Sequence, residues 1–203
     1  GYWSSPDRGL HHVLRVWPHV RRRVPSAELY VAYEMDRLFG VVQDASYSDE
    51  HMVRIRAVRD AALGARLDPS VVFTGAISRV RLAEIEKRTR VMAYPSDGIG
   101  YTEGFGVNVI NATAAGSLPI LRPIDALPSI YGSVPWWLPL DTGAIEFDES
   151  LIDSIVRGLT EWAEGPVSPS LDELRAKANE YTWDRAVAEM ERAILDTERG
   201  HAA

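Results

Sequence analysis

The sequence predicts an α/β protein in which a doubly wound parallel sheet carries helices on both faces. Short apolar runs that suit buried strands alternate with segments whose apolar residues recur at helical spacing, over about the first hundred residues. A glycine-punctuated loop then joins one such strand to a helix of small residues, as happens where a backbone approaches a ligand. We expect one core, because 203 residues suffice for one large domain and are few for two.

Composition excludes several classes of protein. Acidic side chains outnumber basic ones by 29 to 22, and a net charge of −7 argues against a dedicated nucleic-acid binder. The chain has no cysteine, which excludes disulfides and thiolate metal sites and favours a cytoplasmic location. No apolar run is long enough to cross a bilayer, and the first residues show no signal peptide. We therefore expect a globular cytoplasmic protein with no nucleic-acid partner.

The first half of the chain supplies three predicted strands and three predicted helices. Tyr2 to Ser4 resemble the end of a strand that begins abruptly, which raises the hypothesis that the chain starts inside a larger protein. Leu10 opens an amphipathic helix that Pro25 ends. The later elements are a strand over residues 28–33, a helix over residues 52–62, a strand over residues 71–74 and a short helix within residues 79–88.

The loop after the next strand is the feature around which the chain is organised. Residues 91–94 predict a strand that Pro95 ends, and glycines at 98, 100, 104 and 106 leave the following backbone free to bend. Residues 106–115 predict a buried helix whose first turn faces this loop, and the free N–H groups there favour an anion. A carboxylate would repel phosphate, so Glu103 is better suited to accept hydrogen bonds from hydroxyl groups.

The second half completes the sheet and adds helices. Residues 118–121 predict a strand and residues 125–131 a short helix, whereas the proline-rich residues 134–139 do not suit a central strand. Apolar spacing predicts a helix over residues 151–162, ended by Gly165 and Pro166, and two C-terminal helices over residues 171–179 and 183–197. Paired tryptophans such as Trp136 and Trp137 more often pack than bind, although an exposed pair could face a lipid or an acceptor.

The central loop resembles the donor-site motif of GT-B glycosyltransferases, in particular the large retaining family called GT4. That family has an acidic residue, seven residues and a second acidic residue, embedded in a Glu-Gly-Phe-Gly loop and followed by an Ala-Ala-Gly turn. Residues 103–106 and 114–116 match this pattern, with Asn111 at the second acidic position. Arg8 and Gly9 stand where the family has a Lys-Gly pair, and Trp3 and Ser129 replace an arginine and a glutamate of the family.

The resemblance implies a set of site residues. Arg8 and Glu103 would be catalytic, Arg8 as the cation at the donor diphosphate and Glu103 as the contact to the donor sugar. Asn111 would bind the ribose, but an amide cannot supply the charge-assisted hydrogen bond of a carboxylate. The implied donor-binding residues are Gly75, Ala76 and Ile77 beside the base, Gly104, Phe105, Gly106 and Val107 at the diphosphate, Asn111 at the ribose, and Ser96.

The resemblance also implies an activity. The chain would be the donor-binding half of an enzyme that transfers a sugar from a nucleotide diphosphate sugar to an acceptor with retention, without a metal or another cofactor. Residues 1–165 would form a Rossmann-like domain and residues 166–203 helices packed on it. The acceptor-binding N-terminal domain is absent from this chain, so we expect the isolated chain to be inactive and a missing domain or partner chain to complete it. Peripheral contact with a membrane stays open, and the sequence identifies neither the base and the sugar nor the acceptor, whether glycan, lipid or small molecule.

Other interpretations stay open. The chain could be a non-catalytic nucleotide-sugar-binding or assembly module that meets another polypeptide through its cleft edge and the Trp136–Trp137 pair. Residues 98–104 also lie close to the dinucleotide fingerprint of NAD(P)-binding domains, with Asp125 about 20 residues later, but their spacing has an extra residue. Arg8 could be a solvent-facing residue at a helix start, and Asn111 a capping or core residue. Metal-binding, nucleophile-elbow and P-loop motifs are absent from the sequence.

Overall fold

The strands of this computed structural model, which describes residues 1–41, 49–96, 103–140, 142–162 and 168–201, are all parallel and form two hydrogen-bonded sets. In the first set, β1 (Leu29–Val31) pairs with β2 (Val71–Phe73). In the second set, β3 (Val91–Tyr94) pairs with β4 (Leu118–Leu121), which pairs in turn with β5 (Trp136–Trp137).

The extended segment Gly1–Tyr2 lies between the two sets and joins them. On one side the Tyr2 amide donates to Tyr30 O at 2.8 Å and Ala32 N donates to Tyr2 O at 2.9 Å. On the other side Gly1 N donates to Val91 O at 2.6 Å. The strand order is therefore β2, β1, segment 1–2, β3, β4, β5, which is that of a doubly wound sheet and confirms the predicted fold class.

Helices pack on this sheet in two groups. Helix α1 contacts α3 and α7, and α7 also contacts β3 and β4, whereas α5 contacts α4, α8 and the same two strands. The helices of the described residues are α1 (Leu10–Arg23), α2 (Met35–Val41), α3 (Asp49–Ala65), α4 (Arg79–Glu86), α5 (Val107–Ala115), α6 (Leu127–Tyr131), α7 (Ala144–Thr160), α8 (Leu171–Asn179) and α9 (Trp183–His201). None of these helices combines the length and the apolarity that crossing a membrane requires.

Two helices differ from their predictions. Helix α2 has no counterpart among the predicted elements, and α7 begins at Ala144, about two turns before the predicted start. The proline-rich stretch forms the two-residue strand β5 at the edge of the sheet, which agrees with the prediction that it does not suit a central strand. The indole N–H of Trp136 donates to Ser168 O at 3.0 Å and that of Trp137 to Gly132 O at 2.9 Å, so both rings are tied into the fold.

Candidate functional site

The candidate site lies at the carboxyl ends of segment 1–2 and β3, where the direction of strand order reverses. Ligands of open parallel sheets bind in the crevice at this point. The turn after segment 1–2 touches the end of β3 at Gly9, which has a φ of 103°. A Cβ atom on Gly9 would lie 2.6 Å from Pro95 O, so only glycine allows this approach. The contact brings the start of α1 against Ser96, which is buried.

The turn before α1 presents Arg8 to the crevice. Tyr2 Oη donates to Ser5 O at 2.8 Å, the Ser5 hydroxyl donates to the buried Asp7 carboxylate, and Arg8 N donates back to Ser5 O at 3.0 Å. These bonds fix the backbone on both sides of Arg8. Its Nη1 then lies 2.7 Å from Glu103 Oε2, which forms an ion pair between residues 95 positions apart.

Glu103 is buried at the mouth of the crevice and accepts a second hydrogen bond. Tyr94, the last residue of β3, donates its hydroxyl to the same carboxylate oxygen at 2.5 Å. The backbone of Glu103 is held as well, because its N–H donates to Asp125 Oδ2 at 2.8 Å and its carbonyl accepts from Ala126 N at 3.4 Å. Under the dinucleotide interpretation Asp125 is the ribose-binding acid. In the structure its carboxylate accepts a hydrogen bond from the Glu103 N–H.

The glycine loop continues from Glu103 into α5. Gly106 has a φ of 70° and precedes the first residue of α5, Val107, which is exposed. The hydroxyl of Tyr131 lies 3.0 Å from Gly106 O and 3.2 Å from Phe105 O, and its single hydrogen is shared between these two carbonyls in a bifurcated hydrogen bond. The start of α5 is the end of the helix that faces the crevice. The backbone N–H groups of its first turn have no partner within the helix.

The remaining predicted site residues lie on two neighbouring elements. Asn111 is exposed and lies one turn beyond Val107 on the same side of α5. Gly75, with a φ of 67°, is the second residue after the end of β2, so Gly75, Ala76 and Ile77 lie at the same edge of the sheet. The helix after this turn, α4, contacts α5. The expected loop glycines 98 and 100 lie outside the described residues.

The electrostatics of the cluster keep its donors protonated. Burial, together with the neighbouring Glu103 carboxylate, raises the pKa of Tyr94 to about 12. The pKa of Tyr131 is also raised, first by burial and then by Glu103. Burial lowers the pKa of Arg8, but Tyr94 and Glu103 outweigh this and raise it above its usual value. At neutral pH the site therefore combines a guanidinium cation, a carboxylate and two neutral phenols.

Sequence reasoning missed the residues that hold the site in place. It proposed Arg8 and Glu103, which the fold brings together, and gave no role to Tyr94 or Tyr131. A weak signal existed for Tyr94, since a hydroxyl at the end of an apolar strand points to the ligand edge of a parallel sheet. The part of the chain that the structure describes holds no cluster of three His, Asp or Glu side chains that could bind a metal ion.

The chain matches a protein family over most of its length. The family model described as "Glycosyl transferases group 1" matches residues 5–185. A comparison with curated proteins finds no match.

Solved structures show the same fold. Sucrose-phosphate synthase from Thermosynechococcus elongatus is 18% identical with a TM-score of 0.68, and the match covers 100% of this chain and 45% of that one. HepE from Anabaena, solved with UDP and glucose, is 11% identical with a TM-score of 0.65 over 97% of this chain and 47% of that one. The pneumococcal O-GlcNAc transferase GtfA, solved with UDP and GlcNAc, is 11% identical with a TM-score of 0.65 over 96% of this chain and 35% of that one. The chain thus spans less than half the length of each of these three structures.

Proposed function

Since the chain belongs to the glycosyl transferases group 1 family, we propose that it is the donor-binding part of a retaining GT-B glycosyltransferase of the GT4 type. Its reaction is the transfer of a sugar from a nucleotide diphosphate sugar to an acceptor. The observation that carries this proposal is the Arg8–Glu103 ion pair beside the glycine loop at the start of α5, in the crevice of a doubly wound sheet. A carboxylate fits this position because Arg8 neutralises it, so it need not repel a neighbouring phosphate.

Each part of a nucleotide sugar then has a partner. The diphosphate binds Arg8 and the amides of residues 104–107, the sugar hydroxyls bind Glu103, and the ribose binds Asn111. The base packs beside residues 75–77. The similar structures from Anabaena and pneumococcus were solved with UDP, which makes UDP the first nucleotide to test.

The chemistry follows from where charge develops. As the bond to the sugar breaks, negative charge grows on the departing diphosphate and positive charge on the sugar ring. Arg8 and the loop amides stabilise the departing group, and they do so effectively because they are fixed before the reaction. The acceptor side of the site comes from the rest of the protein or from a partner chain, so this chain alone binds donor without turning it over. No metal takes part in this scheme.

Titration calorimetry with UDP, GDP and ADP, each with and without its sugar, tests the proposal. Replacing Glu103 by Gln should weaken binding of the sugar nucleotide several-fold to about tenfold, because one hydrogen bond to a charged acceptor is worth about 1.5–3 kcal/mol and a neutral one about half as much. The bare diphosphate should bind nearly as before. Asn111→Ala should weaken both ligands to a similar extent.

A matched control is Glu84→Gln, which also removes a carboxylate from an Arg–Glu pair, but an exposed one on α4. It should leave both affinities unchanged. If no nucleotide binds the wild type at millimolar concentration, the proposed function is wrong. If Glu103→Gln weakens the bare diphosphate as much as the sugar nucleotide, the assignment of Glu103 to the sugar is wrong.

A further inference from the structure

We propose that Tyr131 is a positioning residue that aims two backbone amides, those of Gly106 and Val107, at the diphosphate of the donor. This inference rests on the proposed function and names the side chain that gives the loop its affinity for a diphosphate. Tyr131 is the last residue of α6 and is fully buried, so it touches the loop from the protein side and not from the crevice.

The geometry of the peptide bond sets the directions of the Gly106 and Val107 N–H groups. In a trans peptide the carbonyl group and the following N–H point in opposite directions. The Tyr131 hydroxyl holds the carbonyls of Phe105 and Gly106 toward itself, at 3.2 Å and 3.0 Å. The N–H groups that follow them, on Gly106 and Val107, must therefore point away from Tyr131.

These two N–H groups lie at the end of α5 that faces the crevice. The Gly106 carbonyl also accepts from Val109 N at 2.8 Å and Ile110 N at 3.2 Å, which aligns it with the first turn of the helix. The Val107 N–H is then one of the first-turn amides that have no partner inside the helix, and the helix dipole adds partial positive charge there. Because both carbonyls point toward Tyr131, the two amides share a direction, which suits them to the oxygens of one diphosphate.

The loop needs an external brace because its own sequence does not fix it. Gly106 adopts a left-handed conformation, and glycine reaches several other conformations at little cost. Among the described residues no atom lies within 4 Å of a Cβ placed on Gly104, so their packing does not restrain it either. Below the loop, a Cβ on Gly106 would lie 3.2 Å from Leu127 of α6. Tyr131 supplies the polar contact and Leu127 the apolar contact that together hold the peptide planes.

The second end of the loop is held by the residues just before α6. Asp125 accepts the Glu103 amide, and Ala126 donates to the Glu103 carbonyl. Residues 125–131 thus fix both Glu103 and the start of α5 through backbone contacts, which leaves the Glu103 side chain for Arg8 and Tyr94. The phenol of Tyr131 stays a neutral donor, because burial and Glu103 raise its pKa.

The test is Tyr131→Phe, which removes one oxygen and keeps the buried ring. Among UDP, GDP and ADP, the diphosphate that binds the wild type best is titrated by calorimetry, together with its nucleoside. The variant should bind the diphosphate several-fold to about tenfold more weakly and the nucleoside as before, because only the phosphate contacts depend on the amide directions. Tyr181→Phe is the control, since its hydroxyl donates to Ile130 O and its ring keeps the edge contact to Phe105. It should change neither affinity.

A purely structural role for Tyr131 predicts a different result. The variant would then lose stability, measured by urea unfolding, while the ratio of diphosphate to nucleoside affinity stayed the same. That outcome overturns the inference. The loss of one buried hydrogen bond leaves a domain of ordinary stability folded for the titration. If the wild type binds none of the three diphosphates, the proposed function fails and the inference falls with it.

Discussion

At the scale of single residues, the candidate site is defined by how Glu103 is held. Its side chain is 11% exposed and that of its partner Arg8 is 24% exposed, so the ion pair is partly screened by water. Its main effect is to fix the carboxylate and to balance its charge. Tyr94 is 1% exposed and donates to the same oxygen, so its hydrogen bond is shielded from solvent and stabilises the fold.

Replacing Tyr94 by Phe should therefore lower the free energy of unfolding by about 1.5–3 kcal/mol at neutral pH, the range for a hydrogen bond to a charged group. Urea unfolding measures this value. Tyr30→Phe is a suitable control, because the Tyr30 hydroxyl donates to Glu28 at the surface. The control should stay within about 0.5 kcal/mol of the wild type.

The free energy of unfolding of Tyr94→Phe should also depend on pH differently from that of the wild type. The pKa of Tyr94 is raised from 10.0 to about 12 in the folded state, so the folded protein keeps a proton that the unfolded chain loses above pH 10. The stability from this group is complete below pH 10 and is lost as the pH rises toward 12. Between pH 9 and pH 11 the wild type should lose about 1.4 kcal/mol more than Tyr94→Phe. Equal losses in the two proteins would contradict this assignment.

The sequence predicts Arg8 and Glu103 as site residues but not the three residues that hold the loop. Arg8 and Glu103 belong to short motifs that the chain displays directly. Tyr94, Asp125 and Tyr131 act through contacts to the backbone or carboxylate of residues between 9 and 26 positions away, which exist only once the strands and α6 have packed. The spacing of residues along the sequence does not predict such contacts.

At the scale of the elements, α7 lies close against the sheet at Gly158. A Cβ atom on Gly158 would lie 2.7 Å from Val91 Cγ2 and 3.2 Å from Leu118 Cδ2. Both are side chains of the buried strands β3 and β4, and a β-branched valine has little freedom to move. The glycine thus sets the distance at which α7 packs.

Gly158→Ala has two effects of opposite sign on the free energy of unfolding. Alanine favours the helix by about 1 kcal/mol, whereas overpacking costs about 1–3 kcal/mol, so we expect a net loss of up to about 2 kcal/mol. Gly64→Ala in α3 is the matched variant, because no atom in the part of the chain that the structure describes lies within 4 Å of a Cβ placed there. It should raise the free energy of unfolding by up to about 1 kcal/mol. Urea unfolding of both proteins checks the pair, and a stabilised Gly158→Ala would show that α7 can shift outward.

Apolar periodicity predicts the long amphipathic helices well. It fails for short helices and for helix ends that carry few buried residues. The first turns of α7 carry exposed residues such as Ile145 and Glu146, and its N-cap, Gly143, makes no side-chain cap. Before Leu151 the apolar spacing is therefore carried by the buried Phe147, and one residue is too weak a signal to mark the start of the helix. Helix α2 is only seven residues long, too short for a clear period.

At the scale of the whole molecule, α8 and α9 differ in how they attach. Helix α8 packs on α5, and its Leu174 is fully buried. Helix α9 instead exposes its apolar residues, with Trp183 at 83%, Met190 at 62% and Ile194 at 60%. In this chain α9 therefore contributes little buried surface to the fold.

Ending the chain after Thr182 should change the free energy of unfolding by less than about 1 kcal/mol, since surface changes usually contribute within about 0.5 kcal/mol. Ending it after Pro169, which also removes Leu174, should cost several kcal/mol because a buried leucine alone is worth about 2–5 kcal/mol. Urea unfolding of the two truncated chains checks this. A large loss from the first truncation would show that α9 packs more tightly than its exposure indicates.

The sequence predicts the alternation of strands and helices, and with it the parallel topology. It does not predict that segment 1–2 joins the two hydrogen-bonded sets, because the partners of that segment lie about 30 and 90 residues away along the chain. The sequence predicts that the chain begins in an extended segment. The central position of this segment 1–2 in the sheet depends on the complete fold.

The proposed donor would have a second effect at segment 1–2, where the two hydrogen-bonded sets of strands meet. Arg8 comes from the part of the chain that carries β1 and β2, and Glu103 from the part that carries β3, β4 and β5. A ligand that contacts both adds its binding free energy to the cohesion of the two half-sheets. At a hundred times its Kd, such a ligand contributes about 2.7 kcal/mol to the folded state. The donor would thus be a thermodynamic link across the middle of the sheet, and the loaded protein would resist heat and proteases better than the empty one.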